Sequence, residues 1–95
     1  MLSKIPIDLK KINQKDTDKE VLRAAIIAEL DAINLYEQLI AVTENANLKK
    51  ILQDVADEEK THVGEFQTLL LKEDEKQEEE LRKGKEEVEE LIAEN

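Results

Sequence analysis

No cysteine occurs in this chain of 95 residues, which removes disulfides, thiolate zinc sites and iron–sulfur clusters together. Glycine (2), proline (1) and aromatic residues (2%) are scarce. With Glu, Lys, Leu, Ala and Ile dominant in their place, the composition is that of an all-helical protein. Basic residues number only 14 against 24 acids, for a formal net charge of -10. That balance disfavours nucleic acid and anionic membrane as partners, because both reward clustered Lys and Arg, and it suits cations or basic protein surfaces. Nowhere do about 18 apolar residues run together, and the opening MLSKIPIDLKK has no continuous apolar core of signal-peptide length. The expectation is a soluble protein of the cytoplasm. A chain this short forms one domain at most and buries a smaller share of its surface than a larger domain does, which makes it a candidate for oligomerisation.

Residues 1–16, with Pro6 and no sustained period, read as an N-terminal arm. Thr17 to Glu20, TDKE, has the form of a capping box, a hydroxyl at the N-cap and a carboxylate three residues on, so a helix is expected to start there. Its apolar line runs Leu22, Ile26, Glu29, Ile33, Tyr36, Ile40 in steps of four and three, and only Glu29 breaks it. TENAN, Thr43 to Asn47, interrupts with residues suited to a helix end and a new N-cap. A second helix is expected to about Lys72, its seam passing through Leu48, Leu52, Val55, Glu59, His62, Phe66 and Leu69. The helical hairpin thus spans 17–73. Residues 74–95 form an acidic C-terminal helix or tail. Leu81, Val88, Leu91 and Ile92 make a thin stripe there, interrupted by Gly84, that supports a short or kinked third helix if it packs on something and a solvated tail otherwise.

Two of the seven seam positions in the second helix are polar, and they are consecutive: Glu59 and His62. In an antiparallel hairpin turning near Asn45 and Ala46, residues equidistant from the turn lie at one height. Position 29 then faces position 62, so Glu29, Glu59 and His62 converge on one level of one core. Two carboxylates and an imidazole make a poor core, since a lone buried carboxylate costs several kcal/mol or takes up a proton. As a ligand set they are good. Helical-bundle di-iron proteins combine two Glu-x-x-His motifs with one Glu from each of two further helices. This chain carries one Glu and one Glu-x-x-His, half of that set, and a second copy related by a two-fold axis supplies the other half while turning two hairpins into a four-helix bundle.

Taken singly, each of these residues has a plainer reading. His62 alone fits a satisfied boundary histidine, Glu59 alone a seam residue that fixes register, and Tyr36 an ordinary seam aromatic or a hydrogen-bond donor to a liganding carboxylate. Asp31, Glu58 and Glu65 flank the seam, the last two as part of a solvated face. Jointly, Glu29, Glu59 and His62 favour a metal over a buried ion pair. Carboxylate and imidazole donors without thiolate suit iron or manganese, and zinc can fill the same ligands.

Two segments, IIAELDAINLYEQ (Ile26 to Gln38) and DVADEEKTHVGEF (Asp54 to Phe66), resemble the encapsulated ferritin family, the ferritin-like proteins housed in encapsulin nanocompartments. The likeness covers about residues 17–73. It implies ferroxidase ligands at Glu29, Glu59 and His62, with Glu59 bridging and Tyr36 nearby. It also implies a two-helix protomer that pairs into a ferritin-like bundle holding two irons at the interface, and pairs that assemble into an annular homodecamer. Members oxidise ferrous iron with dioxygen, and the encapsulin shell stores the product. Some members have an acidic cluster leading to the site; Asp31 can belong to it, but the neighbouring position holds Ala28. The C-terminal sequence EELIAEN lacks the Gly- and Leu-containing shell-docking peptide of free-standing members, which leaves a truncated chain and an excised fusion domain both open.

The resulting expectation is an all-α protein: an antiparallel two-helix hairpin plus a short C-terminal helix, dimerising into a ferritin-like four-helix bundle that acts as a ferroxidase. A non-catalytic assembly module with a buried Glu/His cluster, and a divalent metal buffer, remain the alternatives.

Overall fold

The computed structural model describes residues 16–94. Among them are three helices and no strand: α1, Thr17–Val42, α2, Ala46–Glu73, and α3, Glu75–Ala93. The arm expected over 1–16 lies outside the described residues apart from Asp16.

No glycine or proline interrupts α1. Its first turn carries Asp18 and Glu20, acids that complement the positive end of the helix dipole. The structure shifts the expected N-cap by one residue: Asp16 occupies that position, without a side-chain cap bond, and Thr17 is already helical. α1 ends where Thr43 turns extended, its N–H still donating to Leu39 O at 3.2 Å. Asn45 then starts α2, its Oδ1 accepting from the Leu48 N–H at 2.9 Å. Three residues separate the helices, and so short a link folds them into antiparallel neighbours.

The packing line between α1 and α2 departs from the expected seam. On α2 the fully covered positions are Ala56 (0% exposed) and Leu70 (6%), whereas Leu48 (46%) and Leu69 (50%) are exposed. The inner line therefore runs Leu52, Ala56, Glu59, Val63, Phe66, Leu70, sharing Leu52, Glu59 and Phe66 with the expected one. A small side chain at 56 lets the helices approach closely, and a pattern scored on large apolar residues passes over it. Leu22 and Ile33 supply the buried residues of α1. The displaced positions, Leu48, His62 and Leu69, stand on an open flank of the hairpin. At its far end Val21, Leu22 and Leu69 line a groove of 310 Å³ edged by Asp18 and Glu73.

α3 corrects a further expectation. It runs 19 residues without a break at Gly84, supported by pairs at helical spacing such as Lys76–Glu80 (3.1 Å) and Lys83–Glu79 (3.4 Å), which stabilise a helix whether or not it packs. Its apolar stripe is uncovered: Leu81, Val88, Leu91 and Ile92 are 44–67% exposed. α3 touches only α2 among the helices and projects from the hairpin. The radius of gyration is accordingly 16.9 Å, against about 12 Å for a compact chain of this size.

Candidate metal centre

Glu29 sits midway along α1, and Glu59 and His62 share one face of α2 a turn apart. The imidazole Nδ1 of His62 lies 3.6 Å from Glu29 Oε2 and 3.7 Å from Glu59 Oε2. One donor atom from each residue falls within 4.8 Å of the others. The heights set by the turn thus bring together three side chains from two helices, as equal spacing from Asn45 and Ala46 requires.

The environment of the two carboxylates is unusual for a structural ion pair. Each side chain is only 20% exposed, and among the described residues neither pairs with a lysine or arginine. Both aim at the same Nδ1, which can carry one proton at most. Glu29 Oε2 is buried with no hydrogen-bond partner, a state that carries a desolvation cost unless a cation or donor meets it. Three inward donors of carboxylate and imidazole type, one of them orphaned, fit a divalent ion. His62 itself is 42% exposed, so the group opens onto the flank that also presents Leu48 and Leu69. It is a side-opening half-shell.

The remaining expected residues lie apart. Tyr36 is half-buried on α1, seven residues beyond Glu29, so its backbone lies about 10 Å further along the axis on the same face. Asp31 is half-buried too, but two residues from Glu29 place it about 200° around the helix, on the other side from the three donors. Glu58 and Glu65 are exposed.

One polar junction went unread in the sequence. Asp74, the residue between α2 and α3, accepts the Gln77 N–H at 3.0 Å on Oδ1 and receives Arg23 Nη2 of α1 at 3.0 Å on Oδ2. The Gln77 amide, foremost, together with the charges of Lys19 and Arg23, holds its carboxyl below the usual aspartate range against some desolvation. The signal was present: DEKQ, Asp74 to Gln77, has capping-box spacing.

Comparison with known proteins places these features in context. A family model described as EncFtn-like matches residues 5–90. The ferritin-like-encapsulin shell fusion protein of Pyrococcus furiosus is 58% identical over 85 residues, which cover 90% of this chain and 25% of that protein. The encapsulin nanocompartment cargo protein EncC of Myxococcus xanthus is 45% identical over 69 residues, 70% of this chain and 53% of that one. The crystal structure of the encapsulated ferritin domain from Pyrococcus furiosus matches with a TM-score of 0.83 at 55% identity, covering 98% of this chain and 97% of that chain. The chain spans a quarter of the length of one curated relative and about half of the other.

Proposed function

Because this chain belongs to the EncFtn-like family, we propose that it is a ferroxidase whose two-metal site is assembled from two copies of Glu29, Glu59 and His62. The single observation that carries this reading is the convergence of those donors with Glu29 Oε2 buried and without a hydrogen bond. One chain supplies too few ligands for two ions, and its half-shell is open on the side where apolar flank residues are exposed. A two-fold partner packed on that flank brings a second half-shell opposite the first and covers Leu48 and Leu69 in the same step, giving a four-helix bundle.

In this arrangement ferrous iron is the substrate. Glu29 and His62 would serve as terminal ligands and Glu59 as the bridging carboxylate, the roles that the family resemblance implies for them. Carboxylates stabilise the higher charge of the ferric product relative to the ferrous ion, and each of the two ions gives one electron to dioxygen. Tyr36 lies near the metal and Asp31 on the ion's path in, both from the partner's side of the interface. The relatives named for an encapsulin shell and for encapsulin cargo support a placement inside an encapsulin nanocompartment, where the shell stores the oxidised iron. Annular decamers of paired chains are the corresponding assembly. No described helix is long and apolar enough to cross a membrane.

Adding ferrous iron in air and following ferric absorbance tests this reading. Oxidation of many iron equivalents per chain, faster than the buffer blank, is expected. Binding without turnover indicates a metal buffer, and no binding indicates an assembly module.

A further inference from the structure

The apolar line of α2 does not stop where α2 stops. Continued in steps of four and three from Leu70, it passes through Asp74, Gln77, Leu81, Gly84, Val88 and Leu91, so that the α3 stripe is in phase with the inner line of Leu52, Ala56, Glu59, Val63, Phe66 and Leu70. A stripe that keeps its period across two helices is the pattern of one continuous helix. The residues at the junction, LLLKEDEKQEEEL from Leu69 to Leu81, include no glycine or proline and consist mostly of strong helix formers. Apart from Asp74 itself, a cap-favouring residue, nothing in local propensity explains the break.

The break is nevertheless a single residue. Asp74 alone leaves the helical region, at φ -138° and ψ 87°, and its two carboxylate oxygens are both occupied. Oδ1 caps the first turn of α3 through the Gln77 N–H, and Oδ2 takes Arg23 from the end of the second turn of α1. The first bond is available only when a helix begins at 75, because inside a continuous helix the Gln77 N–H is taken by the carbonyl four residues back. The second ties that new start to the hairpin. Arg23 also reaches Glu20 at 3.5 Å, and Lys19 contributes its charge from the same helix.

We infer that Asp74 is a lock on the α2–α3 bend: its carboxylate, shared between the α3 cap and Arg23, holds α3 away from a straight extension that the sequence otherwise encodes. Release merges α2 and α3 into one helix over 46–93 and swings the Leu81, Val88, Leu91 and Ile92 stripe into line with α2. Asp74 sits on the apolar line itself, so its charge also opposes burial there in a straight form. This inference is independent of the metal centre.

The absence of cysteine among the described residues and in the sequence makes a distance measurement clean. Spin labels on Lys50→Cys and Glu86→Cys, both at exposed positions, are mixed with excess unlabelled chain so that only distances within a chain are read. The wild-type background gives a short distance. In Asp74→Ala the majority population moves toward about 54 Å, the span of 36 residues of continuous helix, with helicity by circular dichroism kept or raised. Asp74→Asn, which keeps a capping oxygen but loses the charge, falls between the two. Arg23→Gln, which leaves the cap in place, broadens the wild-type distribution toward long distances. Identical distributions in all four proteins overturn the lock. If Asp74→Ala loses its helicity, Asp74→Asn and Arg23→Gln decide, and a wild-type distribution in both overturns it as well.

Discussion

Glu29 and His62, 33 residues apart in sequence, meet across the hairpin at 3.6 Å from Oε2 to Nδ1. That meeting, with Glu59 Oε2 3.7 Å from the same Nδ1, sets the only histidine of the chain against one carboxylate from each helix of the hairpin, each side chain 20% exposed. The chemistry proposed for the protein follows from it.

Glu59→Ala and His62→Ala are expected to lose iron oxidation by more than the roughly 10–100-fold that removing an outer partner of a metal ligand costs. Helical content by circular dichroism stays at the wild-type level in both, and the metal-free thermal stability of Glu59→Ala holds or rises, since there an apolar side chain on the packing line replaces a carboxylate without a compensating cation. Glu29→Ala behaves alike, with a smaller loss where water substitutes for a terminal ligand. Wild-type oxidation rates in Glu59→Ala contradict the ligand assignment.

Tyr36→Phe is expected to cost less than about tenfold in the same assay, because it removes a hydroxyl near the site and none of its ligands. A loss as deep as that of Glu59→Ala makes the Tyr36 hydroxyl a ligand in its own right and contradicts the three-residue ligand set.

The hairpin core is small, so its members count individually. Ile33→Ala, at a position 9% exposed, is expected to cost about 2–5 kcal/mol. Ala56→Leu, at a position with no exposed surface, forces α1 and α2 apart at a cost of about 1–3 kcal/mol. Both are read as falls in melting temperature at one fixed protein concentration, because association contributes to the apparent stability. An unchanged melting temperature in Ala56→Leu contradicts the close helix approach at residue 56.

Asp74 carries the clearest pH dependence. Its carboxyl is held below the usual aspartate range, first by the Gln77 amide and then by Lys19 and Arg23. A depressed folded value means that the unfolded chain takes up the proton first as pH falls. The stabilisation is therefore complete above the ordinary aspartate value of about 3.9 and is lost below it, as pH drops through the lower folded value. The difference in melting temperature between wild type and Asp74→Asn is expected to be constant from pH 7 to pH 5 and to shrink toward pH 3. A difference that grows on acidification contradicts the sign.

Much of this was legible in the residues, and the misses share a cause. Helix starts and ends followed from caps and from the spacing of Leu and Ile, and the level shared by Glu29, Glu59 and His62 followed from the turn alone. The inner line through Ala56, Val63 and Leu70 was missed because size-weighted periodicity favours Leu48, Val55 and Leu69, and no local rule says which of two adjacent stripes meets the partner helix. Gly84 suggests a break because propensity penalises it, yet no other part of the protein crowds the position and the flanking ion pairs keep α3 helical. The Asp74–Arg23 contact joins residues 51 apart and depends on the bend it helps to hold, so only the capping half of it had a sequence signature.

The shared two-metal site is tested most directly by counting metal and chains in the same particles. Chelator-treated protein is titrated anaerobically with ferrous iron near pH 7.5, and each species is measured by size-exclusion chromatography with light scattering and by metal analysis. Paired chains, alone or in a larger ring, are expected to carry two irons per pair, with the metal-bound species growing at the expense of monomer because the ions bind only the closed site. Acidification is expected to weaken the effect, as protons compete for the carboxylate and imidazole donors. Particles that stay monomeric at saturating iron contradict the shared site, because Glu29, Glu59 and His62 of one chain cannot hold two ions.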